Sequence, residues 1–153
     1  MSAPHDHAPI IVTHEGGARF ATHVRSHRLI VDQPPRGGGE DSGPMPIELL
    51  GAALGTCVAL YVQRFCQSRE LPYEGLRVEV DQLRAANPNR VVQFDVRVML
   101  AHELPEHHAV ALERVVKSCP VHNTSTEATA VTLLIRGSRR SRVTAQTTAT
   151  FTT

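Results

Sequence analysis

Apolar residues alternate with polar ones, give way to one long apolar run, and then alternate again. PIIVTH at 9–14 predicts a strand, and Glu15-Gly16-Gly17 a turn. Over 18–25, Phe20, Thr22 and Val24 fall on one face of a second strand, with Arg19, Ala21, His23 and Arg25 on the other. Residues 28–32 make a third strand, completing an antiparallel meander. QPPRGGGEDSGPMP at 33–46 is too rich in Gly and Pro for regular structure and reads as a loop.

The long run follows, in GPMPIELLGAALGTCVALYVQRFCQSR at 43–69. Pro46 suits a first helical position, where its missing N–H would be unpaired anyway. Apolar side chains from Leu49 to Val62 occur nearly all round the helix, which predicts a core element. Gly and Thr interrupt the run, and Gln63-Arg64 close it, so a membrane span is not expected. Alternation resumes over 76–83, with Leu76, Val78 and Val80 on one face. Its partner, 91–100, carries Val92, Phe94, Val96, Val98 and Leu100 on one face, with a loop at 85–90 between them. A second helix is predicted from Pro105 to Lys117, its stripe of Leu112, Val115 and Val116 extended by Cys119. Pro120 stops or restarts the chain, and 131–135 predicts a last strand.

Strands that precede helices consecutively favour an antiparallel α+β domain over a parallel one. The expected organisation is a tail at 1–8, one domain at 9–136 and a basic, Thr-rich tail at 137–153. The expected fold is antiparallel sheets packed on two helices, the longer central and apolar. One small sheet cannot cover such a helix, which points to a homodimer whose copies bury each other's central helix.

Net charge is +1, so nothing in the composition favours nucleic acid or a membrane as partner. Three cysteines, and an N-terminus without a basic-then-apolar leader, predict a reducing, cytoplasmic setting. The Gly37–Gly39 triplet lacks the Lys and Ser/Thr of a nucleotide-binding loop.

The thiols carry the candidate chemistry. Cys57 lies about three turns into its helix, beyond reach of the N-terminal dipole, so a cation from another element must activate it. Arg19 and Arg25 are available. Cys66, nine residues on, projects about 180° away and about 13 Å along the helix, which excludes pairing with Cys57 inside an intact helix. Cys119, on another element, meets no such objection. Cys119 and His122 could share a zinc ion, but no neighbouring motif completes four ligands, and no metal is expected.

GPMPIELLGAALGTC at 43–57, LPYEGLRVEV at 71–80 and SCPVH at 118–122 together resemble the OsmC/Ohr family of thiol peroxidases, in its OsmC-like subgroup. The resemblance spans about 10–136 and implies an intertwined homodimer with active sites at the interface. It implies reduction of organic hydroperoxides by Cys57, resolution by Cys119, and regeneration by a small or protein-bound dithiol, with no cofactor. Arg19, or failing it Arg25, takes the place of the family's thiolate-stabilising arginine. The acid that holds this arginine stands ten residues before the first cysteine in the family; here that position is Ile47, and the acid is Glu48. Glu48 is therefore carried over as a site residue out of register, with Glu40 and Asp41 as alternative acids. A non-catalytic dimer that binds a small apolar ligand, or senses oxidation, is the alternative reading.

Overall fold

The computed structural model describes residues 8–127 and 129–135. Apart from Ala8, the two expected tails lie outside them. The elements are β1 (Ile11–Gly16), β2 (Arg19–Val24), β3 (His27–Val31), α1 (Pro46–Gln67), β4 (Arg77–Ala86), β5 (Asn89–Met99), α2 (Glu106–Val116) and α3 (Pro120–Thr126). Two antiparallel sheets, β1-β2-β3 and β4-β5, with the helices give the α+β architecture that the patterning predicts.

The second half of the chain is built on α1. Met45 is its N-cap, Pro46 its first helical residue, and Glu48 reaches back to accept the Met45 N–H at 2.8 Å. Leu54, Val58, Val62, Phe65 and Cys66 recur every three or four residues, so they form one buried stripe. The helix is long and apolar enough to cross a membrane by length and composition, yet this stripe makes it the core helix. Its other faces are open in the single chain, with Leu50 43% and Leu60 40% exposed.

Two glycines set how closely α1 approaches β4. A Cβ on Gly55 would lie 2.9 Å from Val80 Cγ2, and one on Gly51 would collide with the Gln82 amide. Gln82 Nε2 donates to the Ile47 carbonyl at 3.1 Å, tying the hairpin to the first turn of the helix. On the hairpin's outer face Arg97 bridges Asp81 at 2.6 Å and Glu79 at 3.3 Å. Phe94, Val96 and Leu100 pack on the core, as their alternation predicts. Val92 does not: it occupies a bulge opposite Leu83-Arg84 and stays 41% exposed. The loop expected at 85–90 is a two-residue turn, Asn87-Pro88, with both strands running up to it.

Leu112, Val115 and Val116 turn α2 onto the same core. Pro120 restarts the chain as α3. The strand expected at 131–135 is absent: 131–134 is irregular and Ile135 makes only an isolated bridge. Val131, Leu133 and Leu134 are 59–78% exposed, having found no neighbouring strand among the described residues.

In the first half, β1 starts at Ile11 and runs to Gly16, because the left-handed backbone at Gly17 postpones the turn. The predicted loop contains one 3-10 turn, Pro35–Gly37, held by the Gly37 N–H on the Pro34 carbonyl. The three strands contact one another and scarcely touch the helices. Ala21 and Val31 are buried, while Ile11, Val12, Phe20 and Leu29 are exposed.

Candidate functional site

Cys57 and Cys119 form a disulfide, with Cα atoms 6.3 Å apart at a sequence separation of 62. Two local features bring them together. The α1–α2 packing directs the end of α2 at the middle of α1, and the backbone at Cys119 turns extended (φ −61°, ψ 128°) before Pro120 starts α3. Cys119 is fully buried and Cys57 half-buried, so a solute reaches the pair from the Cys57 side. The third thiol, Cys66, is free and fully buried, and burial pushes its pKa up.

Neither arginine lies beside this pair. Arg19 lines a cavity of about 310 Å³ that contains neither cysteine, with Glu15, Asp32 and Glu40 around it. Its Nε is 3.8 Å from Glu15 Oε2, too long for a hydrogen bond, and is buried without a partner. Glu15 is committed to Arg28, whose hydrogen bond is the main reason that its pKa is lowered. Arg25 sits in the β2–β3 turn with a left-handed backbone (φ 57°), at the opposite end of β2. Six residues of strand separate the two arginines by about 20 Å, so only one can serve a given thiol. Glu48 is spent on the start of α1, about two and a half turns from Cys57 and on the opposite face. Glu40, and not Asp41, shares the Arg19 cavity.

Asp32 is the residue that sequence reasoning passed over. Its carboxylate, 1% exposed, accepts the N–H groups of Gln33 (2.7 Å), Glu40 (3.1 Å) and Ser42 (3.1 Å) and the Ser42 hydroxyl (2.8 Å). Bonds from Ser42, its backbone first, with those from Gln33 and Glu40, hold the carboxyl down at about 2. One side chain thus folds the 33–42 loop back over the end of β3. Gln33 and Gly39 are drawn so close that a Cβ on Gly39 would collide with both Asp32 and the Gln33 carbonyl. The signal was an Asp directly before a Pro- and Gly-rich loop, where backbone N–H groups lack helix or sheet partners.

Of the cavities that border α1, two also reach the elements on either side of Cys119. One, of about 510 Å³ between α1, β5 and α2, is largely apolar and is lined by Val58, Val96, Leu104 and Leu112 among others. The other, of about 330 Å³, lies between α1, the start of β5 and α3.

The OsmC-like protein family model matches residues 38–134, which is well over half of the chain and includes both cysteines. The chain belongs to the OsmC-like family. Solved structures of OsmC-like and hydroperoxide-resistance proteins share its fold. A Psychrobacter arcticus 273-4 protein, provisionally named an osmotic stress induced and detoxification response protein, superposes with TM-score 0.69 at 23% identity, over 75% of this chain and 85% of that one. The OsmC-like protein of Mycoplasma pneumoniae gives TM-score 0.67 at 17% identity, over 77% and 86%. The organic hydroperoxide resistance protein OsmC of Legionella pneumophila gives TM-score 0.53 at 20% identity, over 76% and 88%. No curated protein matches the sequence. Family and disulfide together fit a redox role for the Cys57–Cys119 pair.

Proposed function

We propose that this OsmC-like protein reduces organic hydroperoxides, with Cys57 as the attacking thiolate and Cys119 as the resolving thiol. The observation that supports it is the disulfide between the two, on separate elements, with one sulfur half-open to solvent and the other buried behind it. In the forward reaction the Cys57 thiolate attacks the terminal peroxide oxygen and the O–O bond breaks. The alkoxide takes a proton and leaves as the alcohol, and Cys57 becomes a sulfenic acid. The Cys119 thiolate then attacks the Cys57 sulfur, hydroxide leaves and is protonated to water, and the disulfide results. Two electrons from an external dithiol, itself oxidised to a disulfide, restore both thiols. No cofactor enters, and a thiol-reducing compartment such as the cytoplasm suits the cycle.

A thiolate at Cys57 needs a cation, and Arg19 is assigned that role. In one chain Arg19 sits in a cavity without the cysteines, on a sheet that scarcely touches α1. A homodimer reconciles the two, because a second copy could bring its Arg19-bearing sheet to the open faces of α1, where Leu50 and Leu60 lie exposed. Glu48 contributes by holding the first turn of α1, and so the position of Cys57, and not by contact with the thiol.

The test is a count of free thiols in reduced protein before and after one equivalent of cumene hydroperoxide, with mass spectrometry to locate the bond. Loss of two thiols into a Cys57–Cys119 bridge is expected. Unchanged thiols, or a bridge involving Cys66, would sink the reading. The apolar 510 Å³ cavity favours a second reading, a dimer that binds a small apolar ligand or senses oxidation without turnover. Slow oxidation with no steady-state peroxide consumption in the presence of dihydrolipoamide would select it.

A further inference from the structure

The groups around Glu15 decide how free the Arg19 charge is. Glu15 lies at the end of β1, Arg19 opens β2, and Arg28 stands at the start of β3. The register sets Gly16 against Arg19 and His23 against Arg28, so Arg28 reaches Glu15 only by crossing β2 diagonally. It crosses on the face that Arg19, Ala21 and His23 share. Between Arg19 and His23 on that face stands only the methyl group of Ala21, which is fully buried.

Two guanidinium groups thus converge on one carboxylate, and they do not share it equally. Arg28 Nη2 donates to Glu15 Oε1 at 2.5 Å, whereas Arg19 Nε stops 3.8 Å from Oε2. Arg19 makes no other ion pair among the described residues, and its Nε is the buried side-chain donor left without a partner. The acids across the cavity do not replace Glu15. Asp32 spends its carboxylate on Gln33, Glu40 and Ser42, and Glu40 makes no ion pair among the described residues. A buried donor without an acceptor is costly, so Arg19 would take up Glu15 if Arg28 released it.

We propose that Arg28 is a positioning residue for the thiol chemistry: it draws Glu15 off Arg19 and so keeps the Arg19 charge available to the Cys57 thiolate. This rests on the assignment of Arg19 to that thiolate, and adds what leaves the cation unspent. Without Arg28, Glu15 closes on Arg19, neutralises it and ties it to the β1–β2 turn. Arg28 acts through Glu15 and need not touch the thiol. A part-exposed ion pair adds little stability, so its loss shows in reactivity and not in melting.

The pH profile of Cys57 alkylation by iodoacetamide, in fully reduced full-length protein, measures this without peroxide turnover. Mass spectrometry locates the modified thiol. The charged and titratable groups that face Glu15 are Arg19 and His23 from β2 and Arg28 from β3. Arg28→Gln is expected to slow alkylation about fivefold at neutral pH and to move the midpoint up, because a nearby cation favours the thiolate. Glu15→Gln alone is expected to stay within about twofold of wild type, since its carboxylate is already withheld, and the double variant to regain the wild-type rate. Arg28→Lys, which can still hold Glu15, should lie close to wild type. Mere loss of a positive charge gives another pattern: E15Q then speeds alkylation by as much as R28Q slows it, and the two effects add. That additive pattern, an unchanged R28Q, or a double variant as slow as R28Q overturns the proposal.

Arg19→Gln separates this from the broader reading. A profile moved up by R19Q but not by R28Q removes the role of Arg28 alone, whereas an unchanged R19Q removes the assignment of Arg19 with it. The expected alkylation pattern without peroxide consumption supports Arg28 and removes only the peroxidase reading. The Arg28 side chain is 48% exposed, and unchanged thermal unfolding of R28Q is the folding control.

Discussion

The two halves of this chain solve the problem of burial differently. From Pro46 onward, helix, hairpin and helix share one core and a covalent tie. Before it, three strands satisfy their backbone hydrogen bonds with one another, bury little beyond Ala21 and Val31, and leave Phe20 and Leu29 open. Regular hydrogen bonding is therefore not the same as having a core. The chemistry sits in the half that has one, and the cation assigned to it sits in the half that does not.

The largest effect that should separate the halves is reduction of the disulfide. Closing a loop of 62 residues restricts the unfolded chain by roughly 4 kcal/mol. Reduced protein should therefore unfold at a clearly lower denaturant concentration than oxidised protein. Amide exchange should quicken around α1 and α3 and not in β1–β3; equal quickening in the sheet would erase the distinction.

Next in size, Leu54→Ala should cost about 2–5 kcal/mol, at any protein concentration. In the proposed homodimer Phe20→Ala, at a 39% exposed site, should act through association, so that it costs little in dilute protein and more as protein concentration rises. A concentration-independent cost as large as that of Leu54→Ala would mean that the sheet is cored within one chain. Gly55→Val should cost about 1–3 kcal/mol by forcing α1 off Val80, measured by denaturant unfolding, whereas Gly16→Val, in open space, should suffer only from its backbone angle.

Smaller still is the effect of acid on the 33–42 loop. Asp32 has its carboxyl held at about 2, below the usual 3.9 of an unfolded Asp. Its contribution is present above about pH 4 and lost as pH falls through about 2. The amide signals of Glu40 and Ser42 should titrate together with a midpoint near 2, and Asp32→Asn should abolish that transition. Smallest is Arg97→Gln: Arg97 and Asp81 are both more than half exposed, so melting should match wild type within error, more closely in high salt.

What was legible in sequence follows the same division. Periodicity located α1, both strands of the hairpin and the α2 stripe, because burial against one core imposes a period on each. Helix geometry excluded Cys66 and left Cys119, the pairing now seen. Where placement depends on contacts distant in sequence, the pattern failed. Residues 131–134 have strand composition but no neighbouring strand among the described residues, and α3 was hidden because Asn, Thr and Ser after Pro120 are weak helix formers. An Asp before a loop hints at the Asp32 clamp, but its partners Glu40 and Ser42, eight and ten residues on, are not set by any local rule. Arg19 is assigned through the family resemblance, and nothing local in the sequence says that its cavity excludes both cysteines.

Cys66 gives the redox pair its fidelity. Three sulfurs allow three pairings, of which the fold shows one. Here the third thiol is sealed in the core, and burial keeps it protonated, so it neither attacks nor is attacked. Oxidation then has a single outcome. The native protein should count as a two-thiol molecule, with its third sulfur becoming visible only when the fold itself is lost.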